Sequence, residues 1–314
     1  MKILITEPDY FPEKSLIELK KLGEVTAKKF DRKELMEKIE EFDIVIVRID
    51  TKLDREIIEK AKKLKIIGSV TTGVNHIDIE SANKREIKII HLEGAHTNSA
   101  AEHTFALIMA LLRNIPYGFD SLRNGSWNRH EFIGHELKDK TLGIIGFGRI
   151  GSRIAVFANA FNMKIIAYDK YVDAKNVEKL GVQLVNLDKL LKESDIITIN
   201  CILTEETKEM IGIKEFEMMK KNAFLINTSR GEVIDENSLL NALKTGKIKA
   251  AALDVISDES KVVENPLSSK IVQYAKNHKN LILTPHLAGS THESINDATM
   301  FIIEKIREII KDKK

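Results

Sequence analysis

One stretch constrains this chain more than any other: residues 141–169 read as strand, tight glycine turn, helix, strand and acid. Leu142 to Ile145 are apolar enough for a strand buried on both faces. Gly146, Gly148 and Gly151 then give G-x-G-x-x-G, Arg149 to Phe161 continues as a helix, and the apolar Lys164 to Tyr168 runs into Asp169. Each glycine has a separate duty in such a turn. Gly146 permits the sharp reversal, Gly148 lets backbone approach a pyrophosphate, and Gly151 lets helix and strand pack closely. The helix start adds unpaired N–H groups and the positive end of its dipole. Asp169 follows Gly151 by 18 residues, near the spacing at which an acid accepts both ribose hydroxyls of an adenosine. A glycine fingerprint alone is weak, but with the strand, helix and acid around it the stretch predicts a dinucleotide site. A carboxylate at 169 favours NAD over NADP, because it repels a 2′-phosphate, and Lys170 beside it tempers that preference.

The rest of the chain gives this unit a setting. With 314 residues, two domains are expected. From Met1 to Leu92, short apolar strands (2–6, 24–28, 44–49, 66–70, 88–91) alternate with charged amphipathic helices (12–21, 32–41, 54–63, 79–84). That alternation predicts a parallel sheet covered on both faces. A hinge-like segment, 93–96, leads to a long helix for which Ser99 and Glu102 read as a capping box. Residues 115–140, carrying Pro116, Gly118, Gly125 and Gly134, read as an irregular loop whose aromatic residues need a partner surface. Strands resume at 196–201, 223–227, 250–255 and 281–284, residues 256–280 read as a loop with a short helical stretch, and an amphipathic helix from about 291 to 310 closes the chain. The fold class is therefore α/β, with two doubly wound parallel sheets and ligands expected at the C-terminal strand ends.

Composition excludes several roles. The 49 basic and 47 acidic residues nearly cancel, which argues against a nucleic-acid or anionic-membrane partner. The longest apolar run, Phe105 to Leu112, is too short to span a bilayer. Cys201 is the one cysteine, so no internal disulfide forms and a reducing cytoplasm fits. His130 and His135 lack metal-ligand spacing, so no metal is expected.

Three polar residues stand at or just beyond later strand ends: Arg230 in Asn-Thr-Ser-Arg-Gly, Glu259 in Leu-Asp-Val-Ile-Ser-Asp-Glu and His286 in Leu-Thr-Pro-His-Leu-Ala-Gly. A hydride transfer between alcohol and ketone needs a proton donor and acceptor at the oxygen, which a histidine supplies near neutral pH. A carboxylate fixes its tautomer, and an arginine grips a substrate carboxylate in a two-pronged fork. Taken singly, each has a plainer reading: a surface ion pair for Arg230, a solvated loop acid for Glu259, a capping or core histidine for His286.

Motifs spread along the chain resolve that choice by resemblance. Thr-Thr-Gly-Val-Asn-His-Ile-Asp (71–78), Ser-Ala-Ala-Glu-His-Thr (99–104), Gly-Phe-Gly-Arg-Ile-Gly (146–151), Asn-Thr-Ser-Arg-Gly-Glu-Val-Ile-Asp (227–235), Ala-Leu-Asp-Val (252–255) and Thr-Pro-His-Leu-Ala-Gly (284–289) together resemble the D-isomer-specific 2-hydroxyacid dehydrogenases, nearly end to end. The resemblance implies an NAD-dependent interconversion of a 2-keto acid and a D-2-hydroxy acid. In it, His286 is acid/base, Glu259 its partner and Arg230 the carboxylate anchor, helped by the backbone N–H groups of Gly73 and Val74. It carries cofactor contacts to Gly146, Gly148, Arg149, Ile150, Gly151, Asp169, Thr228, Asp254 and the stretch from His286 to Gly289. It also implies a split order: a flavodoxin-like substrate domain from 1–94 plus 290–314, and a Rossmann NAD-binding domain from 95–289, with closure over substrate. A homodimer is usual in the family, which would give the 115–140 loop its partner.

Departures from the family pattern narrow the reading. Members acting on phosphorylated acids often show Arg-Ser-x-Thr where this chain has Arg48-Ile49-Asp50-Thr51, and Asp50 disfavours a phosphate there. The usual Glu-Pro is Glu259-Ser260, so the assignment of Glu259 rests on its position five residues after Asp254. A glutamate at this place also speaks against a formate-type dehydrogenase, which uses glutamine. The rival of another class is a regulatory protein that senses NAD(H) on the same fold; the sequence names neither the substrate nor the physiological direction.

Overall fold

A computed structural model describes residues 1–311 except Thr72, Asn75, Glu93 and Ala95. Two residues of the 71–78 motif and two of the hinge-like 93–96 segment thus lie outside the described residues. The chain divides into two compact units, Met1–His96 with Ser290–Lys314, and Thr97–Gly289.

In the smaller unit, strands β1 (Lys2–Ile5), β2 (Glu24–Ala27), β3 (Ile44–Val47), β4 (Ile66–Ser69) and β5 (Lys88–Ile90) form a parallel sheet in the order β2-β1-β3-β4-β5. Successive side chains of β3 feed opposite layers. Ile44 and Ile46 join a core with Ile3, Ile5, Leu19, Ile302, Ile303 and Ile306. Val45 and Val47 join another with Leu4, Leu35, Ile57 and Ile58. The strand is apolar throughout because helices cover both of its faces. The first of those cores includes the last helix, His292–Lys311, which the chain returns to this unit after building the other.

The larger unit holds β6 (Thr141–Ile145), β7 (Lys164–Tyr168), β8 (Gln183–Leu184), β9 (Ile196–Ile199), β10 (Phe224–Asn227), β11 (Ala250–Leu253) and β12 (Leu281–Leu283), all parallel. Their order is β12-β11-β10-β9-β6-β7-β8. Chain direction across the sheet therefore reverses between β6 and β9. A crevice opens beyond the strand ends at such a reversal, because the loops on its two sides run apart. The alternation read in the sequence thus gives two parallel-sheet α/β units.

Local expectations fail at three places. Residues 115–140 are loop only in part: helix Ile115–Arg123 and a 3-10 turn at Arg129–Phe132 lie within them. Asn114, at φ 53°, ends the long helix Thr97–Leu112, and Pro116 stands in the first turn of the next helix, where a missing N–H costs nothing. Ser99 is not a cap, since the helix starts at Thr97; its buried hydroxyl donates to the Ala288 carbonyl at 2.7 Å. Residues 256–280 hold two helices, Glu259–Glu264 and Lys270–Asn277, separated by a 3-10 turn at Pro266–Ser268.

Candidate active site

The glycine turn separates what the fold needs from what a ligand needs. Gly146 sits at φ +87°, and a Cβ there would stand 2.6 Å from the Cys201 nitrogen. A Cβ at Gly151 would stand 2.2 Å from the Gly146 carbonyl oxygen, so helix Arg149–Ala160 could not pack on its strand. Gly148 has an ordinary negative φ, and a Cβ on it would meet nothing within 4 Å. The protein leaves that space open, and no side chain caps the helix that begins beside it. An open cradle before an uncapped helix N-terminus fits a pyrophosphate. Arg149, exposed, and Ile150, half-buried, are the first residues of that helix. Asp169 lies beside the turn: its carboxylate accepts the N–H groups of Phe147 (2.8 Å), Tyr171 (2.8 Å) and Val172 (3.2 Å).

On the other side of the reversal, the loops after β10, β11 and β12 bring polar groups together. Asn227, at the end of β10 and nearly fully buried, shapes the first. Its amide oxygen accepts from Ser229 and its amide nitrogen donates to the Arg230 carbonyl at 2.8 Å. The Thr228 hydroxyl pairs with that of Thr104 at 2.7 Å. Arg230 is half-buried; its guanidinium donates to the Ser229 carbonyl at 2.6 Å and forms no ion pair among the described residues.

Asp254, one residue past β11, is 1% exposed and organises the next loop. It accepts from the Thr284 hydroxyl, from the N–H groups of Leu287 and Ala288 (both 2.8 Å) and from His103 Nε2 at 3.1 Å. Burial pushes its carboxyl up, but those donors together, His103 foremost, hold it below the usual carboxylate range. The loop so held carries Gly289 at its end and His286 in its middle, at φ +54°, a left-handed conformation uncommon for a side-chain-bearing residue. The His286 N–H donates to the carbonyls of Asp254 (2.9 Å) and Thr284 (3.0 Å).

His286 Nδ1 lies 2.8 Å from Glu259 Oε2. An ionised carboxylate only accepts, so Nδ1 carries the proton and Nε2 is left to exchange one. The hydrogen bond to Glu259 raises the imidazole above its ordinary value; burial opposes this, the charges of Glu259 and Asp254 add to it, and Arg230 lowers it. Asp258, also left-handed at φ +54°, turns the chain so that Glu259 opens its helix facing the histidine. Glu236 steadies that turn. Its carboxylate accepts the Ser257 N–H at 2.7 Å, and burial raises its pKa. His286 and Glu259 thus form a pair, and the charge of Arg230, on the loop after β10, opposes the rise that Glu259 gives the imidazole. Glu236, Thr284 and the positioning contact of His103 were not legible in the sequence. The signal for His103 and Thr284 is that they stand in the 99–104 and 284–289 motifs; Glu236 carries none.

In the smaller unit, Gly73 and Val74 follow β4. The Thr71 hydroxyl donates to the Gly73 carbonyl at 2.7 Å, and neither the Gly73 nor the Val74 N–H has an acceptor among the described residues. His76 Nε2 is 3.2 Å from Ser69 Oγ, and burial lowers its pKa. Arg48 stacks 5.0 Å from the Tyr10 ring centroid with its buried Nε unpartnered. Asp50 is exposed and pairs with Lys29 at 3.2 Å. Among the described residues, no group of three or more His, Cys, Asp or Glu could hold a metal ion, and no helix is long and apolar enough to cross a membrane.

Comparison with known proteins gives this geometry a family. Residues 105–288 match the model of the D-isomer specific 2-hydroxyacid dehydrogenase, NAD binding domain. The chain is 42% identical over 313 residues to a D-3-phosphoglycerate dehydrogenase of Methanocaldococcus jannaschii, an alignment covering 99% of this chain and 58% of the relative. It therefore spans under two thirds of that protein's length. It is also 42% identical over 267 residues to a glyoxylate reductase of Thermococcus litoralis, covering 83% of this chain and 78% of the relative. The crystal structure of a D-lactate dehydrogenase from Aquifex aeolicus, complexed with NAD and lactic acid, superposes with a TM-score of 0.85 at 30% identity, over 99% of this chain and 96% of that one. The chain belongs to the D-isomer specific 2-hydroxyacid dehydrogenase family, and its larger unit is an NAD-binding domain.

Proposed function

We propose that the protein is an NAD-dependent dehydrogenase interconverting a 2-keto acid and a D-2-hydroxy acid. The observation that carries this reading is the His286–Glu259 pair, 2.8 Å apart, in the same unit as Arg230, which has no carboxylate partner of its own among the described residues. The chemistry supplied by bound NADH is a hydride for the carbonyl carbon of the keto acid. In that direction His286 Nε2 donates its proton to the carbonyl oxygen as the C–O double bond becomes a hydroxyl. Glu259 keeps Nδ1 protonated throughout, holding the ring's orientation and stabilising the imidazolium that precedes transfer. Arg230 forks the substrate carboxylate, with the N–H groups of Gly73 and Val74 as further donors, so that the carbon is presented in one orientation. In the oxidative direction neutral His286 takes the hydroxyl proton. Arg149, Ile150, Thr228, Asp254 and Gly289 complete the cofactor contacts. The Cys201 thiol, pushed up to about 11 chiefly by burial, stays protonated and takes no part.

The test is NADH oxidation against glyoxylate, hydroxypyruvate, pyruvate, bulkier apolar keto acids and 3-phosphohydroxypyruvate. The phosphorylated acid belongs in the panel because the buried Nε of Arg48 lacks a partner. Turnover of at least one is expected; silence across the panel with tight NADH binding overturns the reading.

We propose further that the protein works in the cytoplasm as a homodimer. The support for self-association is a run of apolar side chains, more than half exposed, at Ile115, Phe119, Leu122, Trp127 and Ile133. Light scattering on the purified protein checks it, and a mass of one chain, 35.6 kDa, would discard it.

A further inference from the structure

The outer wall of the ribose acid contains a second carboxylate. Residues 170–172 wrap around Asp169, whose carboxylate takes the N–H groups of Tyr171 and Val172. The side chains of Lys170 and Tyr171 are left outside, 53% and 84% exposed. The loop after β9 meets them there. Glu206 Oε2 accepts from Lys170 Nζ at 2.8 Å and from the Tyr171 hydroxyl at 3.2 Å. That loop is braced by its own threonines: the Thr204 N–H donates to Thr207 Oγ1 at 2.8 Å, and the Thr207 hydroxyl donates to the Ile202 carbonyl at 2.6 Å. Through Glu206 the loop is thus tied to the two residues that follow Asp169 in the chain.

Lys170 is the cation next in sequence to Asp169, the acid that the cofactor assignment places at the adenosine ribose. A 2′-phosphate would add its charge beside that acid, and a free ammonium at 170 would offset the repulsion. Glu206 removes that offset. With it, the three side chains carry one net negative charge; without it, they carry none.

We propose that Glu206 determines cofactor specificity: by pairing with Lys170 it withholds the lysine from a 2′-phosphate and keeps the ribose end of the site negative, so that NAD is selected over NADP by two carboxylates rather than one. This deepens the cofactor assignment and is independent of the reaction assigned to His286. An exposed ion pair adds little to stability, so a merely structural role for Glu206 would leave cofactor preference unmoved.

The experiment measures dissociation constants for NADH and NADPH, which needs no turnover and so stands whatever the substrate proves to be. The proteins are wild type, Glu206→Gln, Lys170→Gln and the double variant. In Glu206→Gln the NADPH-to-NADH affinity ratio should rise about three- to tenfold at low salt, and the gain should shrink as ionic strength rises. In the double variant the gain should vanish, because it acts through the released lysine. Lys170→Gln alone should leave the ratio within about twofold, since the paired lysine gives the phosphate nothing to lose. An unmoved ratio in Glu206→Gln overturns the proposal, as does a gain that survives in the double variant. A fall of more than about threefold in Lys170→Gln also overturns it, and does so without depending on how the Glu206 variant folds.

Discussion

The two sides of the β6/β9 reversal are built by different means. On the β6–β7 side, one continuous segment makes the proposed site from backbone: a positive-φ glycine, an open glycine, an uncapped helix and an acid bound to three N–H groups. On the β10–β12 side, side chains from separate loops make it: Asn227 shapes one turn, Asp254 ties down the next loop, and Glu259 meets His286 across 27 residues of sequence. Backbone geometry tolerates most changes except at glycine, whereas a side-chain network depends on each member. The first side should therefore fail by losing affinity or stability, and the second by losing rate.

The largest effect expected is at His286. His286→Ala should lower kcat about a hundred- to ten-thousandfold, the usual worth of a positioned acid/base, while NADH still binds. Stopped-flow hydride transfer checks this, and near-normal turnover would dissolve the contrast between the two sides. Arg230→Ala comes next, costing roughly 2–4 kcal/mol in kcat/KM for the keto acid, as when one partner of a desolvated charge pair is removed. Its dissociation constant for NADH should stay close to wild type.

The glycines sharpen the comparison from the other side. Gly146→Ala should destabilise the protein by at least about 1–3 kcal/mol, from backbone strain at a positive φ to which the collision of the new Cβ with the Cys201 backbone adds, read as a shift in the urea midpoint. Gly148→Ala should leave that midpoint in place and weaken NADH binding by about tenfold, near 1.4 kcal/mol. If both alter stability equally, the division between fold and ligand at this turn is wrong. The smallest effect is a displacement. Glu259 raises the His286 pKa, and keto-acid reduction needs the protonated ring, so the reductive rate should hold below that pKa and fall as pH rises through it. Glu259→Gln should move the falling limb to lower pH, and an unmoved limb would assign it to another group.

How much was legible follows from the same contrast. The strand–turn–helix–strand–acid segment could be read because its physics is local: hydrophobic period, glycine spacing and the acid all fall within residues 141–169. The three strand-end residues could be named, but the sequence offered surface or core alternatives for each. The deciding contacts are long-range: His103 to Asp254 spans 151 residues, and Ser99 to Ala288 spans 189. For the same reason Ser99 looked like a cap when its hydroxyl serves the histidine loop. Helix Ile115–Arg123 was missed because Pro116 and Gly118 read as breakers, although the first helical turn accepts proline and Gly118 stands in open space.

That a Cβ at Gly148 would meet nothing has a consequence for descent. A Cβ there collides with nothing, so folding exerts no pressure to keep the position bare. In a lineage that stopped using a dinucleotide, Gly148 would be the first of the three glycines free to drift, while Gly146 and Gly151 would persist as scaffold. Among chains of this fold, a side chain at that one position would mark a retired site before any change at the histidine did.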